Sequence, residues 1–450
     1  MKPIVLHNGL IISDGFRFVG SVKIEAGLIT GVNPGRVDPA DISSENYEAY
    51  DCSGKIVMPG MIDEHVHFRD PGLTEKGDIA SESRAALAGG ITSFFDMPNT
   101  APQTTTIEAW QRKMDHASMV SAINYAFFLG ATTDNTDELL RADYTRVPGV
   151  KFFMGSSTGG MLLDDDSAIG RLFARFHHVI AVHAESEHII RANREALLRQ
   201  YPGGIPLRLH STLRSREACL EATTRVVDLA RRTGARLHVM HVTTADELAL
   251  FDTGNMASKR ITAETCPHYL CFTDDSVEQT GGLTKCNPAI KTDSDRRELL
   301  RAVADGRIDV IATDHAPHLL SQKLGGDALT ASSGMPSVQF ALPIMMQLAR
   351  HGYFTLEDVV EKMATAPAQL YNISRRGRIA DRYMADVVVV DPDVDYEISD
   401  EDVLSTCGWT PYRGMRLNFR VERTWVNGTL AYDRGRFTDR QVALPVRFDV

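Results

Sequence analysis

The chain has 450 residues, of which 43% are hydrophobic and 24% charged, and its formal net charge is −11. That length exceeds a single small core and calls for a large barrel or two domains, with the composition of an ordinary soluble globular protein. The acidic balance argues against a nucleic-acid partner, which needs clustered Lys and Arg, but a few local cations suffice to capture a small anionic substrate.

Met1-Lys2-Pro3 opens a short apolar stretch broken by Asn8-Gly9, too short for the core of a secretory signal. No apolar run approaches the ~20 residues that cross a bilayer, so no membrane partner is expected. The six cysteines (Cys52, Cys219, Cys266, Cys271, Cys286 and Cys407) form no CxxC pair. Reduced thiols and a cytoplasmic location follow as the expectation.

Residues 1–57 read as short strands punctuated by the turn dipeptides Asn8-Gly9, Asp14-Gly15, Ala26-Gly27 and Asn33-Pro34-Gly35. The middle alternates. Eight apolar runs, at 61–68, 91–97, 123–130, 150–154, 179–184, 237–242, 260–265 and 309–313, are mostly followed by helical patterning. Between 214 and 232, Ala218, Ala222, Val226, Leu229 and Ala230 keep helical spacing, and Gly234 sits as a C-terminal cap. Strand and helix alternating eight times predicts a (β/α)8 barrel over 58–375. The C-terminal part returns to strands and turns, with Val387-Val388-Val389-Val390 stopped by Asp391-Pro392, and with Asn427-Gly428 after Trp425-Val426. Residues 1–57 and 376–450 are therefore expected to meet in one small β-sandwich domain. The polar, glycine-bearing stretch 321–333 is expected to be a mobile segment.

Active sites of such barrels lie at the C-terminal ends of the strands. Reactive residues fall there: His65 and His67 on the first strand, Asn99 after the second, Lys151 in the fourth, His183 on the fifth, His241 on the sixth and Asp314 on the eighth. His65 and His67 are two apart and share a face, as do Val179, Ala181 and His183, and Val310, Ala312 and Asp314. By the same counting, His238 and His315 point away from their ligand neighbours; His268, after Cys266-Pro267, stays open, with a structural role favoured over a place in the site.

Imidazole and carboxylate ligands suit zinc and similar divalent ions. Four histidines plus Asp314 exceed what one tetrahedral zinc needs, so two metals are expected. Lys151 lies in Val150-Lys151-Phe152-Phe153-Met154, where an ammonium is costly and tends to lose its proton. A neutral lysine reacts with carbon dioxide to give a carbamate, whose two oxygens can bridge two metals. Each residue alone has a plainer reading: a chance His-x-His, a satisfied core histidine, a snorkelling lysine, an aspartate helix cap. Their joint occurrence at successive strand ends is not explained by packing. Arg69 follows His67 by two and offers a bidentate grip on a carboxylate, or else a surface salt bridge with Asp70. Asn99, in Met97-Pro98-Asn99-Thr100, either bonds a substrate or caps a turn. His318, in His315-Ala316-Pro317-His318, can reach the same substrate.

Residues 58–72, reading MPGMIDEHVHFRDPG, resemble the dihydroorotase signature of the amidohydrolase superfamily. Gly89-Gly90-Ile91-Thr92, Asp96-Met97-Pro98-Asn99-Thr100, Val182-His183-Ala184-Glu185, His241-Val242-Thr243 and residues 312–318 continue the likeness. It spans nearly the whole chain, including Ala385-Asp386-Val387 and residues 410–414. Allantoinases and hydantoinases are relatives that keep the histidines but usually lack the arginine two residues after the His-x-His. The resemblance implies that His65 and His67 bind one zinc, that His183 and His241 bind the other, and that carboxylated Lys151 bridges them. It implies that Asp314 ligates the first zinc and shuttles the proton, and that Arg69, Asn99, Asn287 and His318 hold the substrate.

The chain departs from that pattern in places. Lys151, rather than an aspartate, resembles allantoinases and hydantoinases, and Thr265-Cys266-Pro267-His268-Tyr269-Leu270 is similar to theirs. Asn287-Pro288-Ala289 replaces Asn-Pro-Pro, and Ser337-Val338-Gln339 stands where Gly-x-Glu is typical. The implied reaction is reversible hydrolysis of the ring amide of dihydroorotate to N-carbamoyl-aspartate, in pyrimidine biosynthesis. In it a metal-activated hydroxide attacks and Asp314 carries the proton. The alternatives are an allantoinase or dihydropyrimidinase activity, or a non-catalytic relative. A homo-oligomer is compatible with the sequence.

Overall fold

The computed structural model describes residues 2–43, 45–155, 160–254 and 256–450. The N-terminal part supplies β1 (Ile4–Ser13), β2 (Phe16–Glu25), β3 (Leu28–Pro34), β4 (Glu48–Asp51) and β5 (Ile56–Pro59). The eight runs of the middle become β6 (Met61–Val66), β7 (Ile91–Asp96), a third run split into β8 (Asn124–Phe127) and β9 (Leu129–Gly130), β10 (Gly149–Phe153), β11 (Val179–His183), β12 (Arg236–Val239), β13 (Ile261–Thr265) and β14 (Val310–Ile311). After them come β15 (Val387–Asp391), β16 (Tyr396–Glu397), β17 (Arg416–Leu417), β18 (Arg420–Val426), β19 (Thr429–Asp433) and β20 (Arg436–Phe437).

Both chain ends meet in one sheet, ordered β20-β19-β18-β15-β5-β1-β2-β3 with β4 beside β1. The join is the antiparallel pair β5–β15, where Val57 stands opposite Val389 and Met58 opposite Val388. The four valines of β15 are all buried because the sheet is covered on both faces. Val387 and Val389 join Leu6, Val22 and Trp425 in the core of the β domain, while Val388 and Val390 pack into the main core shared with the barrel. Asn8-Gly9 is not the turn its composition suggests. It forms an irregularity inside β1, with Asn8 at φ +63, and a Cβ on Gly9 would meet Val57 Cγ2 at 2.5 Å.

The barrel strands are parallel, in the orders β6-β7-β8 and β9-β10-β11-β12-β13-β14. The last strand returns to the first through a bridge between Val66 and His315 and a 2.7 Å bond from His67 N–H to His315 O. Ile62, Phe95, Ala126, Phe128, Val179, Ala181, Met240 and Val310 fill the interior, as the alternation of inward residues demands. The chain's last residues leave the β domain and reach the barrel. Val446 N–H bonds Tyr125 O at 2.9 Å, and Val446 and Phe448 join the interior cluster.

The helix expected around 214–232 runs Arg216–Thr233 and is capped by Gly234 at φ +72, the left-handed conformation that favours glycine there. All six cysteines are free thiols. No helix among the described residues is long and apolar enough to cross a membrane.

Candidate active site

The ends of the barrel strands surround a cavity of about 420 Å³ lined by His65, His67, Arg69, Asn99, Phe153, His183, His241, Asn287, Asp314, Ala316, Ser333 and Gly334. Eight of the residues singled out from sequence are among them. Lys151 and His318 are not: Lys151 is fully buried in β10, and His318 stands behind Arg69.

On one side, His65 Nε2 and His67 Nε2 approach Asp314 Oδ1 at 3.3 and 3.1 Å. Their other ring nitrogens are committed. His65 Nδ1 lies 3.0 Å from both oxygens of Glu264, and His67 Nδ1 lies 2.8 Å from Asn99 Oδ1. Those acceptors take Nδ1–H, which leaves the Nε2 lone pairs facing Asp314, the tautomer a metal ligand needs. Asn99 thus orients a histidine as well as lining the cavity. Asp63 takes Thr313 N–H at 3.0 Å and the Thr313 hydroxyl at 2.6 Å, tying the first strand to the last just before Asp314.

Next to this group, His183 Nδ1 and His241 Nε2 converge to 2.8 Å, and His183 Nε2 bonds Glu185 Oε2 at 2.7 Å. Glu185 is in turn paired with Arg214. Burial would raise the Glu185 carboxyl, but Arg214 and His183 bring it down to about 2. The His65 and His241 rings are 5.3 Å apart, which joins the two groups into one site. Arg69, His241 and Asp314 have φ of +66, +41 and +45, backbone strain concentrated where the reactive groups converge.

These residues fit a divalent metal. His65, His67 and Asp314 bring ligand atoms within 4.8 Å of one another. His241 Nδ1 is buried with no partner among the described residues. Burial pushes His67 down to about 4 and His241 well below the ordinary imidazole value, so both are neutral. Among the described residues, Lys151 Nζ meets Met240 Sδ, at 2.6 Å, and the Phe153 ring, 5.0 Å from its centroid. Burial lowers it to about 8, so a neutral amine is accessible near physiological pH.

One expectation is corrected below this layer. His238 does not point away from the site. It pairs in register with Ala181, an interior residue, and bonds Glu64 Oε1 and Thr262 Oγ1 at 2.8 Å each. The alternation count failed because β12 ends at Val239 and the chain then turns through the left-handed His241. Burial opposes charge on His238, but Glu64 and Glu264 outweigh it and lift the imidazole to about 9. Tyr371 donates to Glu64 at 2.7 Å. A buried imidazolium between two carboxylates therefore underlies the histidines. Sequence reasoning missed Glu64, Glu264 and Glu185, although Glu185 follows His183 by two. His315 lies outside the cavity, bonded to Glu82 at 2.7 Å. His268 is buried with neither ring nitrogen partnered among the described residues.

The far wall is cationic. Arg69 is buried and makes no ion pair among the described residues. Its Nε–H donates to Pro317 O at 3.1 Å, while Asp70 pairs instead with His116 at 3.0 Å, which removes the surface salt bridge considered from sequence. His318 Nε2 lies 3.1 Å from Arg69 Nη2 and 3.0 Å from Ser333 O. The same ring nitrogen serves both contacts, donating to the carbonyl in one tautomer and accepting from the guanidinium in the other. The Asn287 side-chain oxygen is buried without a partner among the described residues.

The family model described as "Amidohydrolase family" matches residues 56–431. The chain belongs to the amidohydrolase family. Among its relatives, this amidohydrolase is 36% identical over 381 residues to a dihydroorotase of Halobacterium salinarum, spanning 84% of this chain and 86% of the relative. It is 32% identical over 442 residues to an allantoinase of Streptomyces avermitilis, spanning 97% of each. Among solved structures, it resembles L-hydantoinase (dihydropyrimidinase) from Arthrobacter aurescens with a TM-score of 0.93 at 27% identity, covering 99% of this chain and 100% of that one. The barrel-plus-β-domain architecture of the amidohydrolase is thus shared across its whole length, and the chain is a hydrolase.

Proposed function

We propose that this hydrolase opens cyclic amides, and that its substrate is dihydroorotate, converted reversibly to N-carbamoyl-aspartate. The observation that carries the substrate assignment is Arg69, a buried guanidinium without a carboxylate partner among the described residues, in the same cavity as the histidines and Asp314. A buried unpaired cation is expensive, and an anionic group on the ligand offsets that cost through a bidentate bond. Dihydroorotate carries a carboxylate beside its ring amide, whereas allantoin and dihydrouracil do not.

In this reading His65 and His67 hold one zinc, His183 and His241 hold a second, and Lys151, as its carbamate, lies between them, with Asp314 completing the first set. The ions, when bound, supply electrophilic polarisation of the amide carbonyl and a water of lowered pKa. Arg69 and Asn287, with Asn99 and His318 behind them, orient the ring so that its amide carbon faces the histidines. Asp314 accepts a proton from the attacking water at its carboxylate. As the ring C–N bond breaks, it returns that proton to the departing nitrogen, and the water oxygen stays on the new carboxylate.

A second reading, an allantoinase or hydantoinase activity, is favoured by Lys151 and by residues 265–270. Turnover of dihydroorotate, allantoin and dihydrouracil by metal-analysed protein decides between them. Dihydroorotate should win in kcat/KM by orders of magnitude, and preference for either neutral ring would overturn the assignment.

A further inference from the structure

The stretch 321–333, whose composition suggests a mobile loop, is anchored by a lysine. Lys323 is fully buried at the end of the short helix Leu320–Lys323. Its Nζ donates to three main-chain carbonyls, Lys285 O at 2.8 Å, Ser332 O at 2.7 Å and Gly334 O at 2.6 Å. No carboxylate pairs with it among the described residues. Three carbonyls on three N–H groups is the geometry of an ammonium, since a neutral amine has only two protons to give. The Trp409 ring centroid lies 5.8 Å from the same Nζ.

Lys285 holds the loop a second time. Its Nζ donates to Ala331 O and, at 3.0 Å, to Ser333 Oγ, and its own carbonyl accepts Gly334 N–H at 2.9 Å. Residues 331–334 are therefore gripped by two lysine amino groups, and Ser333 and Gly334 form part of the cavity wall. From that wall a chain of contacts leads to the arginine. His318 Nε2 stands between the two, 3.0 Å from Ser333 O and 3.1 Å from Arg69 Nη2. Trp409 Nε1–H fixes the His318 carbonyl at 2.8 Å.

We propose that Lys323, seconded by Lys285, is a positioning residue for binding of the anionic end of the substrate. It holds residues 331–334, and through Ser333 and His318 it keeps the Arg69 guanidinium aimed into the cavity. Neither lysine touches the ligand. A neutral side chain at 323 leaves the buried Ser332 and Gly334 carbonyls unpaired and Lys285 O with Gly334 N–H alone, lets the wall relax, and misaligns a bidentate contact that tolerates little displacement. The proposal rests on the assignment of a carboxylate-bearing substrate.

The test is steady-state kinetics of the full-length, metal-analysed protein with dihydroorotate, comparing wild type with Lys323→Met and Lys285→Met. For Lys323→Met, KM should rise about 10- to 100-fold, the penalty typical of a displaced binding group. Bound metal should be unchanged and kcat should fall by less than about threefold, the pattern of lost ground-state binding. Lys285→Met should shift KM in the same direction by about tenfold, and it decides the matter should Lys323→Met not fold. An unchanged KM in a folded variant overturns the proposal and leaves the substrate assignment standing. A wild type inactive on dihydroorotate removes both. A fall in kcat and metal content with KM unmoved assigns the lysines to the general fold and also overturns it.

Discussion

The two walls of the cavity are built on opposite principles. The imidazole wall rises from strand ends, and much of it is backed by buried carboxylates: Glu264 behind His65, Glu185 behind His183, with Glu64 and His238 beneath. The guanidinium wall rises from loops, and what stands behind it is carbonyl oxygen and ammonium: Pro317 O on Arg69, Ser333 O on His318, Lys323 on three carbonyls. Acceptors behind the histidines raise their basicity and suit them to cations. Cations behind the arginine keep negative protein charge away from it and leave its edge for an anion. One cavity thus separates a place for positive ions from a place for a carboxylate.

The largest effect should come from the residue between the walls. Asp314→Asn keeps shape and hydrogen bonding but cannot carry the proton, so kcat on dihydroorotate should fall by about 10³-fold or more with the circular dichroism spectrum unchanged. A variant retaining a tenth of wild-type kcat would exclude Asp314 as the shuttle. Arg69→Met comes next and separates the walls: kcat/KM for dihydroorotate should drop about 10²-fold, from the loss of a charge-assisted pair, while metal content stays at the wild-type level. Equal losses of metal and of substrate affinity in that variant would mean that the walls are not independent.

The difference between the walls also explains what could be read from the sequence. Strand ends carry a period of two, so His65, His67, His183 and Asp314 could be assigned to one mouth by counting, and their convergence is what the structure displays. Counting stopped working where the backbone leaves the strand. His238 was turned the wrong way because the chain passes from Val239 into a left-handed His241. Glu64 and Glu264 escaped notice for a different reason: a lone carboxylate in a strand carries no sign of the histidine that will neutralise it from another strand. The loop wall was the least legible. Nothing local distinguishes Lys323 from a solvated lysine, because its three carbonyl partners belong to Lys285, Ser332 and Gly334 and are supplied only by the fold.

Smaller effects sharpen the imidazole side. Glu264→Gln keeps the volume but weakens the acceptor behind His65, and it can present its amide N–H₂ to the ring instead. Metal affinity should fall about 10- to 100-fold, as is usual for such outer partners, read by chelator competition, with a smaller loss of kcat in saturating metal. An affinity equal to wild type would show that the 3.0 Å contacts to His65 are incidental.

The least effect on catalysis should come one layer lower, at Tyr371→Phe. The hydroxyl donates to Glu64 Oε2 at 2.7 Å, while the other oxygen, Oε1, is held by His238, so the carboxylate keeps a charged partner and loses a neutral one. Hydrogen bonds to a buried charge contribute about 1.5–3 kcal/mol, and the unfolding free energy should drop by about that amount, with the slope of the urea transition unchanged. Metal affinity and kcat/KM should stay within about twofold of wild type, because the ring remains packed against Phe95 at 5.2 Å and the defect is confined to stability. Should metal affinity fall instead to the level of Glu264→Gln, the Glu64–His238–Glu264 layer would be part of the metal-binding unit itself, and the imidazole wall would have to be redrawn one layer deeper than the histidines that line the cavity.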